Sequence, residues 1–204
     1  MAMNPQNVLK GRVIEGLIAT LFKRAKYKVV PLGVEHQFPD IDALTVAEYR
    51  DQLPEALRLL PDLMIYRWDS GAPKISFIEV KYRTSLTDTG VAQLYRTLEK
   101  QQNHWSETQC ILAVAEPPYT SGKEYHQYHF RVIGMKELAT YPTDAVGFWK
   151  KGSTIIQAYP EFESFLKRNP LTDVFGAEYA ASLEPLLDDS VKIVKALGEI
   201  EPRK

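Results

Sequence analysis

Glu79 and Lys81 stand two residues apart in the run Phe77-Ile78-Glu79-Val80-Lys81-Tyr82, whose other members are apolar, β-branched or aromatic. Such a run forms a strand, and period-two alternation puts Phe77, Glu79 and Lys81 on one face with Ile78, Val80 and Tyr82 on the other. Pro61-Asp62 precedes Glu79 with sixteen residues between, and is followed by a second apolar run, Leu63 to Trp68, and a Gly- and Pro-containing connection, 69–73. Two apolar runs joined in this way predict a β-hairpin, in which position 62 lies opposite 79 to 80. Two carboxylates that converge repel each other unless a cation lies between them or one is protonated. Mg²⁺, with Mn²⁺ as substitute, meets that need through oxygen ligands and retained waters. A neighbouring ammonium, Lys81, then holds a water or stabilises charge on a phosphate, the chemistry of phosphodiester hydrolysis.

The elements that must position these groups are legible from periodicity. Residues 7–25 carry Leu9, Val13, Ile14, Leu17, Ile18, Leu21 and Phe22 at i, i+3, i+4 spacing, predicting an amphipathic helix with that set facing a core. Glu15 falls at the margin of this stripe, placed to reach the rim of what the helix covers. A strand follows at 27–32 and a loop at 34–44. A helical insertion spans 45–60, with Thr45 and Glu48 spaced as a capping box and Pro54 breaking it. After the hairpin come a helix at 91–105, a strand at 110–116 buried on both faces, a strand at 128–135, and helices at 160–168 and 176–198. The expectation is an α/β fold: a mixed sheet flanked by helices, with C-terminal helices added.

Pro61-Asp62, sixteen residues and Glu79-Val80-Lys81 resemble the P-D…(D/E)-x-K signature of the PD-(D/E)XK nuclease superfamily, which includes restriction endonucleases and Holliday junction resolvases. The element order resembles that superfamily's α-β-β-β-α-β core over residues 8–135. Glu15 matches a first-helix glutamate that many members carry. The resemblance implies a restriction endonuclease-like fold and metal-dependent hydrolysis of DNA, with RNA the less common substrate. It implies Asp62, Glu79 and the Val80 carbonyl as metal ligands. Lys81 would orient or activate water, and Glu15 would act through water or as an outer ligand. Several branches follow the signature with a glutamine and, four residues on, a tyrosine; here Gln93 is followed by Thr97, a departure that weakens a substrate-binding role for Gln93. Arg67 and Arg83 are further candidates for the nucleic-acid backbone, as is the basic run Lys23, Arg24, Lys26 and Lys28.

The whole chain bounds these expectations. At 204 residues, 45% hydrophobic and 25% charged, it is sized for one cored domain. A formal net charge of −1 excludes binding nucleic acid by bulk electrostatics alone. One cysteine, Cys110, excludes an internal disulfide framework, and no apolar run or leader-like N-terminus directs the chain to a membrane, so a cytoplasmic protein is expected. Glycine-rich phosphate loops and G-x-S-x-G elbows are absent from the sequence. Pro39-Asp40 offers a competing Pro-Asp, better read as a turn. The histidines near 126–129 read as loop and strand edge rather than a zinc site. The alternative is a nuclease-fold module without turnover that binds nucleic acid or a protein. A homodimer through the C-terminal helices remains open, as does a defence or mobile-element role with a partner.

Overall fold

The computed structural model describes residues 5–38, 40–41, 44–69, 71–86, 88–117, 129–134, 171–175 and 177–200. The helix expected at 160–168 and most of the histidine-containing segment lie outside them.

Helix α1 (Pro5–Arg24) precedes strand β1 (Lys28–Pro31). Its end is a Schellman closure: Tyr27 N–H donates to Phe22 O at 3.0 Å and Lys26 N–H to Lys23 O at 3.1 Å. Lys26 takes the left-handed position, φ 64°, that glycine usually fills. The Phe22 and Tyr27 rings meet edge to face at 5.5 Å, the apolar contact that accompanies this closure.

Short helices α2 (Val34–Gln37), α3 (Val46–Gln52) and α4 (Glu55–Arg58) form the insertion. The capping box is present: Thr45 N–H donates to Glu48 Oε2 at 2.8 Å and Glu48 N–H to Thr45 Oγ1 at 3.3 Å. Pro54 is the N-cap of α4, at a helix start where its missing N–H costs no intrahelical bond. The loop expected at 34–44 is corrected in part, because Val34–Gln37 makes a helical turn after Gly33.

Then come β2 (Leu63–Asp69), β3 (Ala72–Ser85), α5 (Asp88–Gln102), β4 (Thr108–Glu116), β5 (Phe130–Gly134), α6 (Leu171–Phe175) and α7 (Ala177–Glu199). The five strands form one mixed sheet in sequence order. β1, β2 and β3 are antiparallel neighbours; β3 and β4 are parallel, with α5 between them in sequence; β5 returns antiparallel to β4. The protein is thus α/β, with the mixed sheet and flanking helices that the sequence predicts.

One sheet face carries Leu63, Ile65, Ile78, Val80, Ile111, Ala113, Phe130 and Val132, which pack with Ile14, Ile18 and Phe22 of α1 and with Phe175, Leu187, Val191 and Val194 of α6 and α7. Apart from Ala113, each such side chain contributes on the order of 1.5–3 kcal/mol over its solvated state. α7 approaches β4 so closely that a Cβ at Gly198 would lie 2.7 Å from Ala115 Cβ.

The stripe expected on α1 needs a correction. Ile14, Ile18, Leu21 and Phe22 are buried, but Leu9 is 61% exposed and Val13 is also exposed. Lys10 is buried instead, at 7%, and its Nζ donates to Ile200 O at 2.8 Å. α7 ends beside that turn, and an ammonium satisfies a carbonyl at the end of the helix. The opposite sheet face carries Cys110, Leu112, Val114 and Ile133, with Leu94 and Leu98 of α5 also buried.

Candidate active site

The β2–β3 ladder runs from Asp69↔Ala72 to Leu63↔Ile78, so Asp62, one step beyond it, faces Glu79 as the hairpin reading predicts. β3 continues past the start of β2, leaving the Val80 N–H without a strand partner on that edge. The side chain of Asp62 fills the gap, its Oδ2 accepting from Val80 N–H at 2.6 Å. Its backbone carbonyl is held from the other side by Leu32 N–H at 2.9 Å and Gly33 N–H at 3.3 Å. The carboxylate of Asp62 is therefore fixed by β1 and β3 together.

Glu79 is 5% exposed, an unusual depth for a carboxylate. Both of its oxygens are engaged: Lys81 Nζ donates to Oε1, and Gln101 Nε2 donates to Oε2 at 2.5 Å. Gln101, 2% exposed, also donates to Leu59 O at 3.3 Å, which ties α5 and the end of the insertion to Glu79. Its Oε1 is buried and has no hydrogen-bond partner. The edge-to-face pair Phe77 and Trp105, 5.7 Å between centroids, closes this corner, and Trp105 Nε1 donates to Ala56 O at 3.1 Å.

The charges are strongly coupled. Burial, then the charge of Glu79, pushes the Asp62 carboxyl well above its ordinary range; Lys81 and the Val80 N–H offset this in part. Burial also raises Glu15, followed by repulsion from Glu35, while Lys81 pulls it down and Glu79 pushes it up. Burial alone would depress Lys81, but Glu79 and Asp62 outweigh it and hold the ammonium above its usual value. Lys81 is thus a fixed cation, suited to donating hydrogen bonds and stabilising anionic charge, not to acting as a base. Cys110 beside it is kept as a thiol by burial and by Glu79.

The structure brings together Asp62, Glu79, Val80 and Lys81, and Glu15 is near enough to exchange charge effects with them. Arg83 lies on the same side as Lys81 by alternation, half-buried, with Nη1 donating to Tyr82 O at 2.8 Å. Arg67 lies elsewhere: it shares the face of Leu63 and Ile65, and its guanidinium stacks 4.8 Å from the Tyr27 ring and 5.2 Å from the Tyr179 ring. Gln93 is exposed on α5, on the flank of the stripe that carries Leu94, Leu98 and Gln101. Lys23, Arg24, Lys26 and Lys28 are exposed at the far end of the hairpin, where Lys28 pairs with Tyr66, four positions along from Asp62. Pro39 of the competing dipeptide lies outside the described residues, and Asp40 is exposed.

Two residues of this face escaped the sequence reading. Gln101 continues the α5 stripe Leu94, Leu98 at i+7 and i+3, so a polar side chain on an apolar stripe was the available signal. Arg131, 2% exposed, is the partner of Leu112, itself the partner of Lys81, so the two cations share one cross-strand row. Nothing in the spacing of Arg131 marks it.

Asp62 and Glu79 are the oxygen donors that could take part in holding a hard divalent cation, with Glu15 close enough for its charge to raise Asp62 and with Lys81 offsetting the charge of all three. Among the described residues no three His, Cys, Asp or Glu side chains stand as a ready-made metal cage, and Glu79 is turned to Lys81 and Gln101. Among the same residues no helix is long and apolar enough to cross a membrane. No family model, characterised protein or solved structure matches the chain.

Proposed function

We propose that this chain is a divalent-metal-dependent DNA endonuclease with a PD-(D/E)XK site on a restriction endonuclease-like core. One observation carries the reading: Asp62 and Glu79 converge where β2 begins, and the next outward-facing residue of β3, Lys81, holds its ammonium on Glu79. The order of helix, antiparallel three-strand meander with a helical insertion after its first strand, helix and parallel strand supports this reading.

In this reading Asp62, Glu79 and the Val80 carbonyl would hold Mg²⁺ or Mn²⁺, with Glu15 acting through water or as an outer ligand. The ion supplies Lewis acidity toward the phosphate and a more acidic water. Lys81 donates to that water or to a phosphate oxygen and offsets the charge that builds up there. Gln101 keeps the carboxylate of Glu79 oriented. The water oxygen bonds to phosphorus as one ester P–O bond breaks, leaving a phosphate on one strand end and, after proton transfer, a hydroxyl on the other.

Branched, single-stranded and duplex DNA, each incubated with Mg²⁺ or Mn²⁺ and with a chelator, tests this. Cleavage should require the metal and be lost in Asp62→Ala and Lys81→Ala; cleavage that survives either change sinks the assignment. The saturation of Glu79 by protein partners favours a second reading, a binding module without turnover. It is distinguished by calorimetry that finds no divalent-ion binding dependent on Asp62 and Glu79.

A further inference from the structure

The carboxylate of Glu79 has no oxygen to spare. Oε1 receives Lys81 and Oε2 receives Gln101, in a corner 5% open to solvent. A divalent cation arriving at Oε1 would lie against the Lys81 ammonium, and like charges that close repel, so the partner that can move gives way. Gln101 is not the one to leave: its amide is buried, sits on the packed face of α5, and is tied to Leu59 O as well. Lys81 differs in both respects. Its side chain is 23% exposed, and its four-carbon stem lets the ammonium swing away while the backbone stays in the ladder with Leu112.

We propose that Lys81 is a built-in counter-ion that occupies the metal position of Glu79, and that a divalent cation enters by displacing it. This rests on the metal-site reading above. In the metal-free protein the ammonium offsets the repulsion among Glu15, Asp62 and Glu79. A doubly charged ion offsets it more completely, so exchange is favoured once the ion is present. Gln101 retains Oε2 throughout and leaves Oε1 as the oxygen that changes partner. The displaced ammonium remains on the same sheet face, one alternation from Glu79, where it is free to meet a phosphate or a water. Metal entry and the release of Lys81 are one event, so the cation that completes the site also frees its ammonium for the substrate.

The test is calorimetric titration of Mn²⁺ into the full chain, comparing wild type with Lys81→Met, which keeps the length of the stem and removes the charge. Lys81→Gln serves as a second variant if Lys81→Met does not fold. Displacement predicts that the variant binds Mn²⁺ about ten-fold or more tightly than wild type. It also predicts that the variant melts at a lower temperature without metal and gains more from Mn²⁺. Equal or weaker binding, or no binding by either protein, overturns the proposal. DNA cleavage by the same wild-type preparation is scored separately. Cleavage with unchanged affinity in the variant overturns displacement and leaves the nuclease reading standing; tighter binding in the variant without wild-type cleavage does the reverse.

Discussion

Gln101→Leu separates the support of the site from the support of the fold. Leucine is close to glutamine in size and extends the buried stripe of Leu94 and Leu98, so the packing of α5 is retained. The change removes a hydrogen bond to a charged carboxylate, about 1.5–3 kcal/mol, and a long bond to Leu59 O worth about 0.5–1 kcal/mol. It also removes the buried Oε1, whose lack of a partner costs about 1–3 kcal/mol. The opposing effects leave a net cost centred on about 1 kcal/mol and no more than about 3 kcal/mol, which for a chain of this size centres on a melting shift of a few degrees, at about 2–4 °C per kcal/mol. Metal affinity has no such compensation: a ligand that loses its orienting partner typically loses about 10–100-fold in affinity. Thermal melts and Mn²⁺ calorimetry on the same preparations therefore diverge, with a small shift in stability and a large one in affinity. Unchanged Mn²⁺ affinity with an intact fold would refute the orienting role of Gln101.

Two further outcomes are expected. Lys26→Gly relieves a left-handed backbone that costs a side-chain-bearing residue about 1–2 kcal/mol, less the added freedom of the unfolded chain, for a net gain of about 0.5–1 kcal/mol; a lower melting temperature in the variant would contradict the Schellman assignment. His129 has Nδ1 2.7 Å from Val114 O, a contact that places the proton on Nδ1, and burial pulls its pKa below the ordinary 6.5. The unfolded chain then binds more protons, so stability is full above about pH 6.5 and falls as pH drops below it. Relative to His129→Gln, the wild type should lose melting temperature between about pH 7 and 5; parallel curves would remove His129 as the cause.

Much of the fold was legible because local rules and tertiary demands agree. The capping box at Thr45, the break at Pro54, the doubly buried β4 and the opposition of Asp62 and Glu79 each follow from patterns of one to four residues or from one hairpin register. The misses arise where a distant element decides. Lys10 is buried and Leu9 exposed because α7 ends against α1, which the spacing within α1 does not encode. Arg67 belongs to the other sheet face because β2 alternates from Leu63, and Tyr27 and Tyr179 were there to take its guanidinium. Gln93 matched a family position by spacing, but the polar side chain that reaches Glu79 comes from Gln101, two turns further along α5. Alternation put Lys81 on the face of Glu79, and the structure has it there. Its hold on Glu79 is a matter of side-chain geometry, to which period-two alternation is blind.

The central claim is a divalent metal held between Asp62 and Glu79. A crystal structure of the full chain with Mn²⁺, read by anomalous scattering at the manganese edge, tests it most directly. The account predicts a peak bounded by Asp62, Glu79 and the Val80 carbonyl, with Lys81 Nζ moved off Glu79 Oε1 and Gln101 still on Oε2. No peak there, with Lys81 still on Glu79, would contradict it.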